Sequence, residues 1–278
     1  MQKKVNDRPL GTKTEYKNEY DKSLLYPIDR VHARNQINVA VPLPFKGFDI
    51  WNCYEVSWLQ RSGKPEVRVI EIVVPVDSPN IIESKSLKLY LNSLNNTKFD
   101  DESQVIRLIQ NDLSSVVGSP IVIYCKTLEA YNNTGIHEFH GINIDLLDVA
   151  ITDFTINKHL LSLSKEQVLV EEVLYSNLLK SNCCVTKQPD FASVQISYKG
   201  QKIDQAALLK YLISFRNHLE FHEQCVERIF TDIKNICNPE ELTVYARYTR
   251  RGGIDINPIR STMDLNVTSI QNLRQVRQ

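Results

Sequence analysis

The sequence has no excess of charge of either sign, no long apolar run and no zinc-binding cysteine pair. Its 33 Lys and Arg residues balance 33 Asp and Glu residues, whereas proteins that bind nucleic acid directly usually carry a basic excess that neutralises phosphates. No apolar stretch of about 18 residues is present, which excludes a transmembrane helix. We therefore expect no direct nucleic-acid partner and no membrane partner.

Metal-binding signatures are also missing. The 6 cysteines include no CxxC pair and the 6 histidines include no HExxH, so neither common zinc pattern is present. His218 and His222 have a spacing that would place both on one helix face, but no third ligand at a suitable spacing accompanies them. We expect no metal site.

The first residues, MQKKVNDRPL, are charged and are not followed by an apolar segment. This start is unlike a secretory signal. The cysteines of a chain without such a signal are expected to be reduced thiols in the cytoplasm. We therefore expect a cytoplasmic protein.

Hydrophobic periodicity predicts an α+β chain built from two similar halves. Residues 1–45 are polar and then rich in proline, and we interpret them as an arm that packs onto the body. We place a first module at residues 46–150 and a second at residues 151–278. Glu83 and Glu223 each open a helical pattern with a basic and an aromatic residue at matching positions, which suggests a duplication. Two tandem units, each an antiparallel sheet backed by helices, are the simplest architecture.

The predicted elements follow from alternation and from helical spacing of apolar residues. The predicted strands are residues 50–59, 67–74, 121–126, 193–199 and 242–248. The predicted helices are residues 81–94, 100–117, 165–179, 204–216 and 221–237.

Residues 83–90, ESKSLKLY, lie where a strand is predicted to pass into a helix. Ser84 and Ser86 offer hydroxyls, the helix start offers backbone N–H groups, and Lys85 and Lys88 add positive charge, a combination that suits a phosphate. A capped, solvated helix start has the same composition. From the residues alone we favour that second interpretation.

Residues 183–191, CCVTKQPDF, place a cysteine and an aspartate on either side of a polar, proline-containing loop. The thiolate of Cys183 could be a nucleophile, and Asp190 could donate a proton. Cys184 follows directly, so the residues leave open which thiol reacts, although the spacing to Asp190 favours Cys183. Inert packing is the alternative role of such a cysteine.

Residues 220–225, EFHEQC, combine two carboxylates with a histidine. Glu223 could accept two hydrogen bonds from the N–H edge of a guanine-like base, and His222 beside it could donate one. The alternative is a charged helix surface that faces solvent. We interpret the following Cys225 as a packing residue.

Together these segments resemble a known family. Residues 83–90 match, at every position, the pattern Glu-(Ser/Leu)-Lys-(Ser/Ala)-apolar-Lys-(Leu/Tyr)-aromatic of the NADPH-dependent 7-cyano-7-deazaguanine reductases, the QueF family. Residues 183–191, 221–224 and 246–253 resemble its nucleophile loop, its base-binding signature and its C-terminal signature. The resemblance extends from about residue 45 to the end. The order of the motifs is similar to that of the long, two-module branch.

The resemblance implies the tunnelling fold (T-fold), in which antiparallel sheets from several modules join edge to edge into a barrel covered by helices. Two copies of a two-module chain would close such a barrel, so a homodimer is implied. Closure would also remove exposed sheet edges.

The resemblance also implies a reaction. The nitrile of 7-cyano-7-deazaguanine would be reduced with two NADPH to the primary amine of 7-aminomethyl-7-deazaguanine, in queuosine biosynthesis before insertion into tRNA. Cys183 would form a covalent thioimide and Asp190 would protonate the nitrogen. The substrate-binding residues implied are Ile82, Glu83, Ser84, His222 and Glu223. The cofactor-binding residues implied are Ser84, Lys85, Arg251 and Gly252, in a chain without the GxGxxG dinucleotide fingerprint.

Two other functions remain as alternatives. A pterin-type cyclohydrolase of the same fold would share recognition of a base edge by a glutamate, but such enzymes usually need a metal held by His and Cys. A non-catalytic base-binding or tRNA-interacting module would use the short basic cluster of Arg247, Arg250 and Arg251. The zero net charge argues against RNA.

Overall fold

The computed structural model describes residues 16–270 and 272–278, so the first residues of the predicted arm lie outside the described part. The strands are Pro27–Asp29 (β1), Lys46–Gln60 (β2), Pro65–Pro75 (β3), Asn80–Ile82 (β4), Lys98–Phe99 (β5), Val122–Lys126 (β6), Ile142–Asn143 (β7), Leu169–Asn182 (β8), Pro189–Gln201 (β9), Glu241–Tyr248 (β10) and Ile254–Ser261 (β11). The α-helices are Arg30–Gln36 (α1), Ser84–Ser93 (α2), Glu102–Val117 (α3), Leu128–Asn132 (α4), Gln205–Ser214 (α5) and His222–Cys237 (α6).

The chain divides into two compact units. Unit 1 contains the described residues up to His32, Ile50–Gly135 and Arg250–Asp255. Unit 2 contains Ala33–Asp49, Ile136–Thr249 and Ile256–Gln278.

Unit 1 is a small sheet with two main helices. The strand order is β6-β3-β2, β5 pairs with β2, and β1 pairs with β4. Helix α3 begins where the side chain of Asp101 accepts a hydrogen bond from the Gln104 amide, and it ends at Gly118 in the left-handed region. Such a cap at each end satisfies backbone groups that the helix itself leaves unpaired. Its buried apolar face contains Val105 and Ile109.

Unit 2 is a larger sheet in the order β11-β10-β9-β8-β7. All its neighbouring strands are antiparallel except β7 and β8, which are parallel. Asp204 caps α5 by accepting a hydrogen bond from the Ala207 amide. Helix α6 buries an apolar face that includes Val226, Ile229 and Phe230, and burial of these side chains accounts for much of the stability of the unit.

The α+β class with antiparallel sheets and helices is confirmed. Neither sheet closes into a barrel within the described residues of one chain, and closure through a second chain stays a prediction. In the described part of the chain, no helix combines the length and the apolar character needed to cross a bilayer.

The prediction of a helix over residues 165–179 is wrong. Leucine, glutamate and lysine in this segment favour a helix when taken alone. The segment instead enters β8, which pairs with β9 along nearly its whole length, and Leu174, Ser176, Leu179 and Ser181 are its buried residues. Long-range pairing therefore overrides the local preference.

The proposed correspondence between the helices of Glu83 and Glu223 is also wrong. Each half has a pair of long neighbouring strands followed by two helices, of 10 and 16 residues in both cases. Glu83 precedes the first helix of its half, whereas Glu223 lies in the second helix of the other. The repeated order of elements agrees with a duplication, but the two glutamates do not correspond within it.

Candidate active site

The loop of Cys183 connects β8 to β9 and is closed by its own backbone. The amide of Cys183 donates to the Gln188 carbonyl over 2.9 Å, and the Lys187 amide donates to the Cys183 carbonyl over 2.9 Å. Lys187 has φ 58°, a left-handed conformation that closes this turn. The loop therefore holds Cys183, which is only 4% exposed, in a defined position.

A backbone N–H group points at the Cys183 sulfur. The Thr186 amide lies 3.5 Å from Sγ. A donor in this position stabilises a thiolate, which is the nucleophilic form of cysteine. Cys184, the next residue, is half-buried.

Asp190 lies at the same end of the β8–β9 hairpin. It is the second residue of β9, pairs with Ser181 in antiparallel register and is 5% exposed. Because cross-strand partners project to the same face of a sheet, Asp190 and Ser181 share one face beside the cysteine loop. Cys183 and Asp190 therefore lie at the same end of one hairpin, and a shared pocket of the thiol and the carboxyl group stays a prediction.

His222 connects this carboxylate to α6. It is the first residue of the helix, and its Nε2 lies 3.2 Å from Asp190 Oδ2. Its imidazole ring stacks on the ring of Tyr248, with centroids 3.8 Å apart and planes 8° apart. Three elements, β9, β10 and α6, thus meet around one imidazole.

The segment before α6 is joined to the strand that ends in the cysteine loop. The Asn182 amide donates to the His218 carbonyl over 2.7 Å, and the Glu220 amide donates to the Asn182 carbonyl over 3.2 Å. Asn182 directly precedes Cys183. The start of α6 and the cysteine loop are therefore linked by backbone hydrogen bonds.

Glu220 is a buried carboxylate with two cationic or protonatable partners. His218 Nε2 lies 2.9 Å from Glu220 Oε1, and Arg228 donates to the same oxygen. Burial raises the pKa of Glu220, but hydrogen bonds from His218 and Arg228 outweigh it, so its pKa is lowered. Glu220 is thus an anion that anchors the start of α6.

The solvent-facing interpretation of residues 220–225 is wrong. Glu220, Glu223 and Gln224 are buried and Cys225 is fully buried. Glu223 lies in the first turn of α6, where the helix dipole favours a negative charge. Burial raises the pKa of Cys225 to about 12, so its thiol stays neutral, consistent with a packing role.

Unit 1 contains the residues of the octapeptide. Glu83 is 1% exposed and caps α2, because its carboxylate accepts hydrogen bonds from the Lys85 amide over 2.9 Å and the Ser86 amide over 2.8 Å. These two amides are occupied, so the interpretation of this helix start as a backbone phosphate cradle is wrong. Ile82 is buried in β4 and pairs with Pro27.

Arg251 and Gly252 lie in the turn between β10 and β11, also in unit 1. Gly252 has φ +62°, and a Cβ on it would contact nothing within 4 Å. Gly253 has φ +79°, and a Cβ there would lie 2.5 Å from Glu55 Oε2. Glu55 is in turn ion-paired with Lys88. The turn therefore presents an exposed Arg251 beside an open surface, and the left-handed backbone at position 253 favours glycine.

The predicted residues divide between the two units. Unit 2 holds Cys183, Asp190, His222 and Glu223. Asp190 and His222 are in direct contact. Unit 1 holds Ile82, Glu83, Ser84, Lys85, Arg251 and Gly252. Ser84, the first residue of α2, and Lys85 follow the capping Glu83 and are half-buried.

No role was predicted for Tyr248, which lies beside His222 in this site. It belongs to residues 246–253, which resemble the C-terminal signature of the family, but a tyrosine at a strand end carries no signal of its own. Its stack on His222 becomes visible only when β10 and α6 are placed together.

The described residues contain no group of three or more His, Cys, Asp or Glu side chains that could hold a metal ion.

Comparisons with known proteins identify the family. A family model described as nitrile reductase, 7-cyano-7-deazaguanine-reductase N-term, matches residues 16–125, and one described as QueF-like protein matches residues 189–266. The chain belongs to the 7-cyano-7-deazaguanine reductase family. The resemblance in the motifs is thereby confirmed, and the pterin-type cyclohydrolase is not favoured.

Individual relatives span nearly the whole chain. An NADPH-dependent 7-cyano-7-deazaguanine reductase of Legionella pneumophila (strain Lens) is 54% identical over 276 residues, covering 99% of this chain and 96% of the relative. One of Ralstonia nicotianae is 51% identical over 272 residues, covering 97% and 98%. A solved archaeosine synthase QueF-Like in the apo form is 19% identical, with a TM-score of 0.31 over 35% of this chain and 96% of that chain.

Proposed function

We propose that this chain reduces the nitrile of 7-cyano-7-deazaguanine to the primary amine with NADPH. The observation that carries the proposal is the grouping of a cysteine loop, a buried carboxylate and an imidazole in unit 2 of a chain that belongs to this family. The overall reaction consumes one nitrile, two NADPH and two protons, and yields one amine and two NADP⁺. The residues must therefore activate a carbon and deliver protons to a nitrogen.

Cys183 is proposed as the nucleophile. Its sulfur would add to the nitrile carbon and give a thioimide, in which the carbon is a better acceptor of hydride than in the nitrile. After the first reduction the C–S bond breaks, the sulfur leaves as a thiolate, and the imine remains bound. The Thr186 N–H at 3.5 Å stabilises the sulfur anion both before addition and after release.

Asp190 is proposed as the proton donor. Addition of sulfur to the nitrile carbon places negative charge on nitrogen, and an acid within reach neutralises it as it develops. His222, 3.2 Å from Asp190, orients the carboxyl group and can pass it a further proton. A paired carboxyl and imidazole can thus supply the two protons of the overall reaction.

The base edge of the substrate is proposed to bind Glu223. The amino and ring N–H groups of a deazaguanine are suitable hydrogen-bond donors to a buried carboxylate. Ile82, Glu83, Ser84 and His222 are proposed as further substrate contacts. These assignments follow the family motifs.

The residues proposed for the cofactor fit an anionic dinucleotide. Arg251 is exposed beside the open surface at Gly252, and Ser84 and Lys85 belong to the same unit. Arginine and lysine suit the 2′-phosphate that distinguishes NADPH from NADH. When bound, NADPH supplies hydride.

The remaining assignments follow from the family resemblance. We propose a first module at residues 46–150 with the cofactor motif, a second at residues 151–278 with the nucleophile, and an arm at residues 1–45. A homodimer would close the barrel, and the enzyme would act in the cytoplasm in queuosine biosynthesis. It needs no direct contact with tRNA.

The direct test is the loss of NADPH absorbance when 7-cyano-7-deazaguanine is added to the purified protein. We expect two NADPH oxidised for each nitrile consumed, and an amine product by mass spectrometry. Guanosine triphosphate, as a probe for cyclohydrolase activity, should release no formate. Binding of the nitrile without NADPH oxidation would contradict the proposal and favour a non-catalytic base-binding module.

Asp190→Ala should separate formation of the adduct from its reduction. Without the carboxyl group the thioimide still forms to some extent, but protonation of the nitrogen is slower, and we expect turnover to fall by about 10²- to 10⁴-fold. Stopped-flow measurement of NADPH oxidation, with intact-protein mass spectrometry of the adduct, checks this. An unchanged steady-state rate would exclude Asp190 as proton donor.

A further inference from the structure

The imidazole of His222 rests on a planar, buried surface. Tyr248 is the last residue of β10 and its side chain is fully buried. The two rings are stacked with a centroid distance of 3.8 Å and an angle of 8°. Contact over a whole ring face restricts the imidazole from tilting out of this plane.

The rotation of His222 within that plane is fixed by a second contact. Nε2 lies 3.2 Å from Asp190 Oδ2. The stack sets the plane of the ring and the carboxylate sets its direction within the plane. Together the stack and the carboxylate contact decide which ring nitrogen meets Asp190. This matters because only one of the two nitrogens of a neutral imidazole carries a proton that it can donate.

Tyr248 is itself held firmly. In the β9–β10 pairing it lies opposite Ala192, and the side-chain amide of Gln278 donates to its carbonyl over 3.0 Å. The same amide donates to Asn257 Oδ1 over 2.7 Å. The ring is therefore a fixed support that substrate binding does not have to order.

The hydroxyl group of Tyr248 is not suited to proton donation. Burial raises its pKa well above the usual value, and the neighbouring thiol of Cys225 adds to this. The hydroxyl therefore stays neutral throughout the ordinary pH range. What Tyr248 can contribute to the site is the flat face of its ring.

We propose that Tyr248 is a positioning residue for nitrile reduction: its ring face holds the His222 imidazole in the plane in which Nε2 meets Asp190. This inference rests on the proposed function. An aliphatic side chain could fill the same buried space, but it would let the imidazole tilt. A displacement of about 1 Å at a reacting group can cost about 10²-fold in rate.

The test compares Tyr248→Phe, which keeps the ring face, with Tyr248→Leu, which does not. Single-turnover experiments follow adduct formation on Cys183 by mass and its reduction by NADPH absorbance. We expect Tyr248→Phe to reduce the adduct within about threefold of the unaltered protein. Tyr248→Leu should reduce it about 10²-fold more slowly, with KM changed by less than about threefold.

Two controls separate positioning from loss of stability. Tyr198→Leu removes a buried tyrosine at the far end of β9 from Asp190, and its rate of adduct reduction should stay within about threefold. In a His222→Gln background, adding Tyr248→Leu should cost less than about threefold, because residues that act as one unit are not additive. If Tyr248→Leu does not fold, as judged by circular dichroism, Tyr248→Met replaces it.

The outcomes are distinct. Equal rates for Tyr248→Phe and the leucine or methionine variant would overturn the inference, as would a full 10²-fold loss in the His222→Gln background. Failure of the unaltered protein to oxidise NADPH with the nitrile would overturn the proposed function, and the inference on Tyr248 with it. If the unaltered protein is active, the proposed function stands, and the comparison of the Tyr248 variants tests the role of Tyr248 alone.

Discussion

Cys183→Ala should abolish turnover and the covalent adduct while leaving the fold intact. Removing the sulfur removes the route through a thioimide, so we expect turnover to fall by at least about 10³-fold. Alanine fits the nearly buried position without steric conflict, because it is smaller than cysteine. Intact-protein mass spectrometry after mixing with the nitrile in the absence of NADPH should show the mass of one substrate added to the unaltered protein and none added to Cys183→Ala.

Cys184→Ala is the matched control for this experiment. The two cysteines are adjacent, and the Thr186 amide is directed at the sulfur of Cys183. We expect Cys184→Ala to form the adduct to the same extent as the unaltered protein. A Cys183→Ala variant that still turned over, or an adduct lost only in Cys184→Ala, would refute the nucleophile assignment.

We expect Glu227→Ala to cause a large decrease in the free energy of unfolding. Glu227 is 3% exposed and accepts hydrogen bonds from two guanidinium groups, those of Arg34 over 2.8 and 3.0 Å and of Arg260 over 3.0 and 3.1 Å. Arg260 is fully buried and also pairs with Asp49 over 2.8 Å. Removing Glu227 leaves two buried cations short of an acceptor, at a cost of about 3–5 kcal/mol.

Urea unfolding followed by circular dichroism measures this loss. Glu227→Gln keeps the shape of the side chain but removes its charge, and should be less damaging than Glu227→Ala. Asp264→Ala, which breaks an exposed pair with Lys46, should change the free energy of unfolding by less than about 1 kcal/mol. A loss below about 1 kcal/mol for Glu227→Ala would show that the buried cluster contributes little.

Helix α6, which contains Glu227, also contains His222 and Glu223 of the proposed site. Gln224 of α6 donates to the Ala33 carbonyl over 3.2 Å, and Glu227 binds Arg34. Residues 33–49 therefore hold α6 in place through contacts with Gln224 and Glu227. We expect destabilising substitutions here to reduce activity chiefly through the fraction of folded protein.

Local patterns predicted most elements that have strong periodicity. The helices of residues 102–117, 205–214 and 222–237 were expected within a few residues, because each has regularly spaced apolar residues and an acidic or capping residue at its start. The strand β8 was missed because its composition favours a helix. Only its pairing with β9 decides its conformation.

Strand β11 and helix α1 were not predicted. Residues 254–261 contain Asp255, Asn257 and Pro258, which are typical of turns, yet every residue of β11 is buried. The buried Asp255 is accommodated because Asn52 and Tyr54 donate to it over 2.8 and 2.6 Å. These hydrogen-bond donors lie far from Asp255 in the sequence, so no local pattern predicts that they meet it.

The site itself was predicted in its residue types but not in its geometry. The motifs indicated Cys183, Asp190, His222 and Glu223, and the structure adds that Asp190 and His222 are in contact. It also shows that the Glu83 carboxylate caps its own helix, a role that the octapeptide shares with many helix starts. Roles that depend on contact between distant elements, such as the one proposed for Tyr248, have no signature in one sequence.

The hydrogen bonds that join Asn182 to His218 and Glu220 have a consequence for the energetics of binding. They tie the strand end beside the proposed nucleophile Cys183 to the segment that precedes α6, in one preformed framework. Ligand association then loses little conformational entropy to ordering of the protein, and more of the intrinsic affinity for the substrate remains to lower the barrier of the chemical step. Slow hydrogen–deuterium exchange at these amides in the ligand-free enzyme would be the signature of such preorganisation.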